Sequence, residues 1–130
     1  MAWTIKKHFY HILFVHKKNL QEENLIQFHL VGCMVFKGKM CARIYFTAPN
    51  IHNDSNLTII VIHHVLTHWS RNLPQVLYLQ LDNNSCENKN QIVFGSLSML
   101  FELGIFQKVK VGFVLVGHTH DHIDQIFIHF

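Results

Sequence analysis

The segment Gly117-His118-Thr119-His120-Asp121-His122-Ile123-Asp124 gathers three histidines and two carboxylates directly behind the apolar run 109–116. Polar groups clustered where a buried parallel strand ends stand at the carboxyl edge of a sheet, the edge at which open α/β sheets bind ligands. A second polar burst, Asp82-Asn83-Asn84-Ser85-Cys86-Glu87-Asn88-Lys89-Asn90, follows the apolar run 76–81. Between the two lies Ile92 to Phe106, with Val93, Leu97, Leu100 and Phe101 at helical spacing and Gly104 placed to close a helix in the left-handed conformation. Strand, helix and strand form a βαβ unit whose two strands run parallel and end on the same edge. The expectation is therefore that 76–81 and 109–116 are adjacent strands, both too apolar for a sheet edge, joined by a helix over Asn88 to Phe106. Asp82 would then stand beside His118, with Glu87 on the turn above and Asp124 one helical turn into the next segment.

Carboxylates and imidazole converging on one edge suit a divalent cation. Oxygen ligands favour Mg²⁺ or Mn²⁺, and imidazole widens the choice towards Zn²⁺. The candidate metal ligands are Asp82, His118, His120 and Asp124, and the candidate catalytic carboxylates are Asp82, Glu87 and Asp124. Two cations held ~4 Å apart activate an attacking oxygen and stabilise a leaving one, which is phosphate-ester chemistry. Asn88, Lys89 and Asn90 are the candidate contacts to DNA or RNA. An Asp-Asn pair after a strand also serves as ordinary turn chemistry, its side chains bonding nearby backbone. His64 and His68 have the i, i+4 spacing that can hold a metal, but no third ligand accompanies them, and they are read as packing or surface residues.

The remaining chain must position these groups. Its 130 residues, 49% hydrophobic and 15% charged, describe one α/β domain able to bury its own core. The net charge of +3 is uneven, since residues 1–50 hold seven Lys or Arg against two Glu. These lysines come in pairs, the pattern of a solvated face more than of a nucleic acid groove. Cys33, Cys41 and Cys86 make no CxxC pair and leave one over, which argues for a reduced, soluble intracellular chain. No apolar run approaches the ~20 residues of a membrane span. Segments near His8 to Val15, Gln27 to Phe36 and Met40 to Thr47 read as three strands whose short connections favour an antiparallel meander. Asp54 or Ser55 is a natural N-cap for a helix from Asn56 to Trp69, preferred over the strand that Ile59-Ile60-Val61-Ile62 would suggest. Its stripe is expected at Leu57, Ile60, Val61, His64 and Val65, with a stop at Asn72-Leu73-Pro74.

Several separated motifs recur in the same order in a known group. The stretch from Leu73 through Leu81-Asp82-Asn83, then Glu87-Asn88-Lys89-Asn90, Leu103-Gly104-Ile105-Phe106, and Val116-Gly117-His118-Thr119-His120-Asp121 with Ile123-Asp124-Gln125 and Phe127, resembles an uncharacterised eukaryotic domain family. That family has a transposase-like, ribonuclease-H-like core, and Ser55-Asn56-Leu57-Thr58 fits it too. The resemblance covers roughly residues 28–127. It implies a mixed sheet of three antiparallel strands, then alternating helices and parallel strands, with carboxylates on the first strand, at the end of the fourth, and on a later helix. Asp82 matches the second of these and Asp124 the third. The first is missing: 8–15 holds no Asp or Glu, and His11 and His16 stand where it is sought. The resemblance thus implies a fragment or degenerate copy of a transposon-derived domain, truncated at both ends and without catalytic activity, with the nucleus as a place of action by analogy.

A different class shares part of the last motif. Gly117-His118-Thr119-His120 is similar to the final metal motif of calcineurin-like metallophosphoesterases, and His118-Thr119-His120-Asp121-His122 resembles the histidine box of metallo-β-lactamase-like hydrolases, one residue short. Either implies a divalent-metal hydrolase, with Zn²⁺ in the second case. The upstream elements of the phosphoesterases are absent, and shortened spacing redirects ligands that a zinc site holds to tight geometry.

Overall fold

Alternating Phe, Val, Ile and Tyr make strands of the first third: β1 (Ala2–Tyr10), β2 (Phe28–Lys37) and β3 (Lys39–Thr47). The structure, a computed structural model, describes residues 2–10, 28–37 and 39–114. β1 pairs antiparallel with β2, and β2 antiparallel with β3, as a meander requires. The first strand lies earlier than the 8–15 stretch read from composition. Pairing on both sides decides its position: Ala2 to Tyr10 is in register with Phe36 to Phe28, and Ala2 to Ile5 with Tyr78 to Leu81. His11 and His16 fall outside the described residues.

The second half alternates. α1 (Ser55–His68) is followed by a 3₁₀ turn at Ser70–Asn72, β4 (Val76–Leu81), α2 (Gln91–Glu102) and β5 (Lys108–Phe113). β4 lies parallel to β1, and β5 parallel to β4, so the strand order is β3-β2-β1-β4-β5 in one five-stranded sheet. The βαβ unit is present as expected, with its second strand beginning one residue earlier and ending three earlier than 109–116. β5 is the last strand among the described residues, not an interior one. Its residues alternate, with Lys108, Lys110 and Gly112 exposed and Val109, Val111 and Phe113 half-buried. The later part of the apolar run 109–116 masked this alternation.

Both helix starts are made by side-chain caps. The Asp54 carboxylate accepts from the backbone N–H groups of Asn56 (2.9 Å) and Leu57 (3.1 Å), and the Asn90 amide oxygen from those of Ile92 and Val93 (both 3.1 Å). These caps satisfy donors that a first helical turn leaves without a partner. At the end of α2, Gly104 takes φ 70°, its N–H bonding to the Phe101 carbonyl while Ile105 N–H reaches that of Leu100. This is the paired closure that a left-handed residue permits.

The core lies between the helices and one sheet face. Leu57, Val61, Ile62, Val65 and Leu66 of α1 and Val93, Leu97 and Leu100 of α2 meet Val31, Cys33 and Val35 of β2 and Leu77, Leu79 and Leu81 of β4. Ile60 and His64 point outward, with Ile60 62% exposed; Ile62 and Leu66 complete the stripe instead. They sit about 100° further round the helix than Val61 and Val65, on the side that meets the sheet. Each fully buried aliphatic side chain contributes about 1.5–3 kcal/mol. Burial pushes the Cys33 thiol up to about 12, partly offset by Arg43, so it stays protonated and behaves as a small apolar residue at neutral pH. Leu30 and Met34, which alternate with these β2 residues, form a second cluster on the opposite face with Phe36 and Ile44. Among the described residues no helix is long and apolar enough to cross a membrane.

Candidate functional site

Asp82 follows β4 at the carboxyl edge of the sheet, half-buried. Its Oδ1 accepts the backbone N–H of Asn84 at 2.6 Å, and Asn84 Oδ1 in turn accepts that of Cys86 at 3.0 Å. The loop thus winds on its own short polar side chains, the turn chemistry of Asp and Asn. On one side of Asp82 the register pairs Leu81 with Phe113, and Val114 N–H bonds to the Leu81 carbonyl at 3.0 Å. By that register Val114 is the residue level with Asp82 on this side, and His118 lies outside the described residues. On the other side Ile5 pairs with Leu81, which makes Lys6 the next residue in register. β1 reads Ala-Trp-Thr-Ile-Lys-Lys-His-Phe-Tyr, without a carboxylate.

Glu87, Asn88 and Asn90 lie at the junction of the β4–α2 loop with the start of α1. Asn88 is fully buried, and its Oδ1 accepts the Thr58 hydroxyl at 2.9 Å; the same hydroxyl lies 3.2 Å from the Glu87 carbonyl. Glu87, only 6% exposed, accepts from Asn53 Nδ2 at 2.9 Å. Asn90, besides capping α2, donates to the Ser55 hydroxyl at 2.6 Å and to the Cys86 carbonyl at 3.1 Å, and Ser55 donates to that carbonyl at 3.1 Å. Asn88 Nδ2 and Asn53 Oδ1 are buried without partners. Lys89 alone of this motif is exposed, its ammonium 5.3 Å from the centre of the Phe113 ring, which Phe94 meets edge-on.

This knot is the feature that sequence reading missed. Its signal was a hydroxyl, Thr58, inside the buried stripe of an otherwise apolar helix face, which must find a partner across the interface. The structure brings Thr58 to Asn88 and Ser55 to Asn90, so the polar residues in the first turn of α1 and those before α2 complement one another.

His118, His120 and Asp124 lie outside the described residues, as do Asp121 and His122. The helix histidines have local partners: His64 Nδ1 lies 3.0 Å from the Tyr45 hydroxyl, and His68 packs edge-on against Trp69. Both are exposed. His63, one position earlier, has its Nε2 3.1 Å from the Ser96 hydroxyl of α2. Among the described residues no group of three or more His, Cys, Asp or Glu is placed to hold a metal ion.

A family model described as Domain of unknown function (DUF7869) matches residues 18–130. The match takes in β2 through β5 with both helices and leaves β1 ahead of it. No curated protein and no solved structure matches the chain.

Proposed function

The chain belongs to this family, whose description carries no activity, and we propose that it is a ribonuclease-H-like domain of transposase or integrase type that has lost metal-dependent phosphodiester chemistry. The observation carrying the proposal is the pairing of β1 with β4. An order β3-β2-β1-β4-β5, antiparallel across the first three strands and parallel from β1 to β5, is the arrangement such a core needs. It puts the end of β4, where Asp82 stands, next to the strand that must supply the partner carboxylate. That strand holds none and continues from Ile5 into Lys6 and Lys7.

Mg²⁺ or Mn²⁺ in such a site would be held by bridging oxygen anions, and the described residues fit it poorly. Asp82 offers one carboxylate, its Oδ1 accepting Asn84 N–H, and a two-metal site that loses a bridging carboxylate loses charge and geometry together. Glu87 is turned into the fold against Asn53. A nucleic acid contact at Asn88-Lys89-Asn90 reduces to Lys89, since both amides are engaged in the knot.

The test is an assay of the purified chain on labelled single-stranded, double-stranded and hybrid substrates with Mg²⁺ or Mn²⁺. No cleavage or joining above a buffer control is expected. Activity that depends on the cation and disappears in Asp82→Asn would overturn the proposal.

A further inference from the structure

The outer edge of β5 is used by nothing described so far. β4 covers one side of this strand, and no described strand pairs with the other. The two faces along that edge differ in chemistry. On the helix side a cleft of about 370 Å³ separates α2 from β5; its walls are mostly apolar, with Phe94, Leu97, Phe101, Val109 and Val111, but also include Glu102 and part of Lys108. Phe94 and Phe101 remain 38% and 49% exposed there. On the opposite face Lys108 and Lys110 are exposed, and a Cβ added at Gly112 would meet nothing within 4 Å. The Lys110 ammonium sits 4.8 Å from the centre of the Tyr78 ring, so its charge is held close over the sheet.

We propose that this edge binds an extended protein segment of alternating acidic and apolar residues by strand addition. An added strand offers backbone N–H and C=O groups to the open edge while its side chains point alternately to the two faces. Apolar residues on one face enter the mostly apolar cleft between α2 and β5. Those on the other lie across from Lys108 and Lys110, where opposite charge stabilises a cross-strand pair and like charge destabilises it. The same lysines disfavour a second copy of this chain as the occupant. Pairing β5 with its own copy would bring four ammonium groups onto one face of a short ribbon, a repulsion that selects against self-association and for an acidic partner.

The probe is a dye-labelled, end-blocked eight-residue peptide of alternating Glu and Val, with an alternating Lys and Val peptide as its counterpart, followed by fluorescence anisotropy. Saturable binding of the acidic peptide is expected, at least about tenfold tighter than the basic one at low salt. Lys108→Glu/Lys110→Glu, both on exposed positions, is expected to reverse that preference, and Phe101→Ser to weaken both peptides while far-ultraviolet circular dichroism stays unchanged. Equal affinity for the two peptides, no saturable binding of the acidic one, or an unreversed preference in the double variant would overturn the proposal. So would a concentration-dependent dimer, by size-exclusion chromatography with light scattering, that disappears in a Val111→Pro variant.

Discussion

The corner between β4 and α2 and the outer flanks of α2 invert the usual distribution of polar and apolar groups. In the corner, Glu87 and Asn88 are buried and tied to Asn53 and Thr58. On α2 and its C-cap, Ile92, Met99 and Leu103 are 60–70% exposed, although Val93, Leu97 and Leu100 of the helix are buried. The turn of the helix explains the second region: at 100° per residue the buried stripe is opposed by Gln91, Gly95, Ser98 and Glu102, leaving apolar flanks on either side. A helix apolar on three sides normally sits among neighbours. The corner is different, because its polarity is a structural device that fastens the starts of α1 and α2 together. Residues that look chemical hold the frame, and residues that look like core are free to make contacts.

Substitutions in the corner should therefore cost stability, and those on the flanks should not. The largest effect is expected from Asn88→Ala. It removes the acceptor for the Thr58 hydroxyl and leaves a cavity in a fully buried site. An unfolding free energy lower by about 2–3 kcal/mol is the expected result in urea titration. Thr58→Val alone should cost less, and the two together less than their sum, because each removes the other's partner. Additive losses would show that the knot does not act as a unit.

Asn90→Ala comes next. It deletes the cap of α2 and the bonds to Ser55 and Cys86 at once, so a loss of about 1–2 kcal/mol is expected, against about 1 kcal/mol for Asp54→Ala, which deletes the cap of α1. Equal losses would mean that the link between the two helix starts contributes little beyond capping.

Asp82→Asn separates the turn role of this residue from any role as an anion. The amide keeps an acceptor for Asn84 N–H, so stability should change by no more than about 0.5 kcal/mol. Residual Mn²⁺ binding by calorimetry, if any, should fall in this variant and persist in His64→Ala/His68→Ala, whose histidines are engaged by Tyr45 and Trp69. The reverse pattern would move the metal question to the outer face of α1.

How much of this could be read from the chain depends on the range of the forces that decide it. The caps at Asp54 and Asn90 and the closure at Gly104 are local, made within three or four residues, and the polar-to-apolar steps around α1 and α2 announce them. The parallel β4–β5 pair follows from a helix between two strands, a chirality and length argument that needs no distant partner. β1 is different. Its bounds are fixed by β2 and β4 on either side, and the more apolar stretch 9–15 outweighed the paired lysines when composition alone was weighed. The place of β5 as the last strand among the described residues was hidden for the same reason, since an apolar run does not reveal how many neighbours it has. The candidate site divides likewise: Asp82 ends a strand as read, whereas the burial of Glu87 and Asn88 depends on Thr58 and Asn53, some thirty residues away in the chain.

The smallest expected effect tests the apolar side of the comparison. Met99 and Leu103 are 63% and 70% exposed, so replacing them by Gln and Ser removes little buried area, and at ~25 cal/mol per Å² little stability should be lost. The backbone bond from Leu103 N–H to the Met99 carbonyl does not involve either side chain. A double variant Met99→Gln/Leu103→Ser should therefore keep its urea midpoint within about 0.5 kcal/mol of the parent chain. What should change is behaviour at high concentration: removing two large apolar side chains from one flank should shorten retention on a hydrophobic-interaction column and raise the temperature at which light scattering first increases. A loss of more than about 1 kcal/mol with unchanged retention would show that this flank is packed in the native protein, and that the inversion between corner and helix does not hold there.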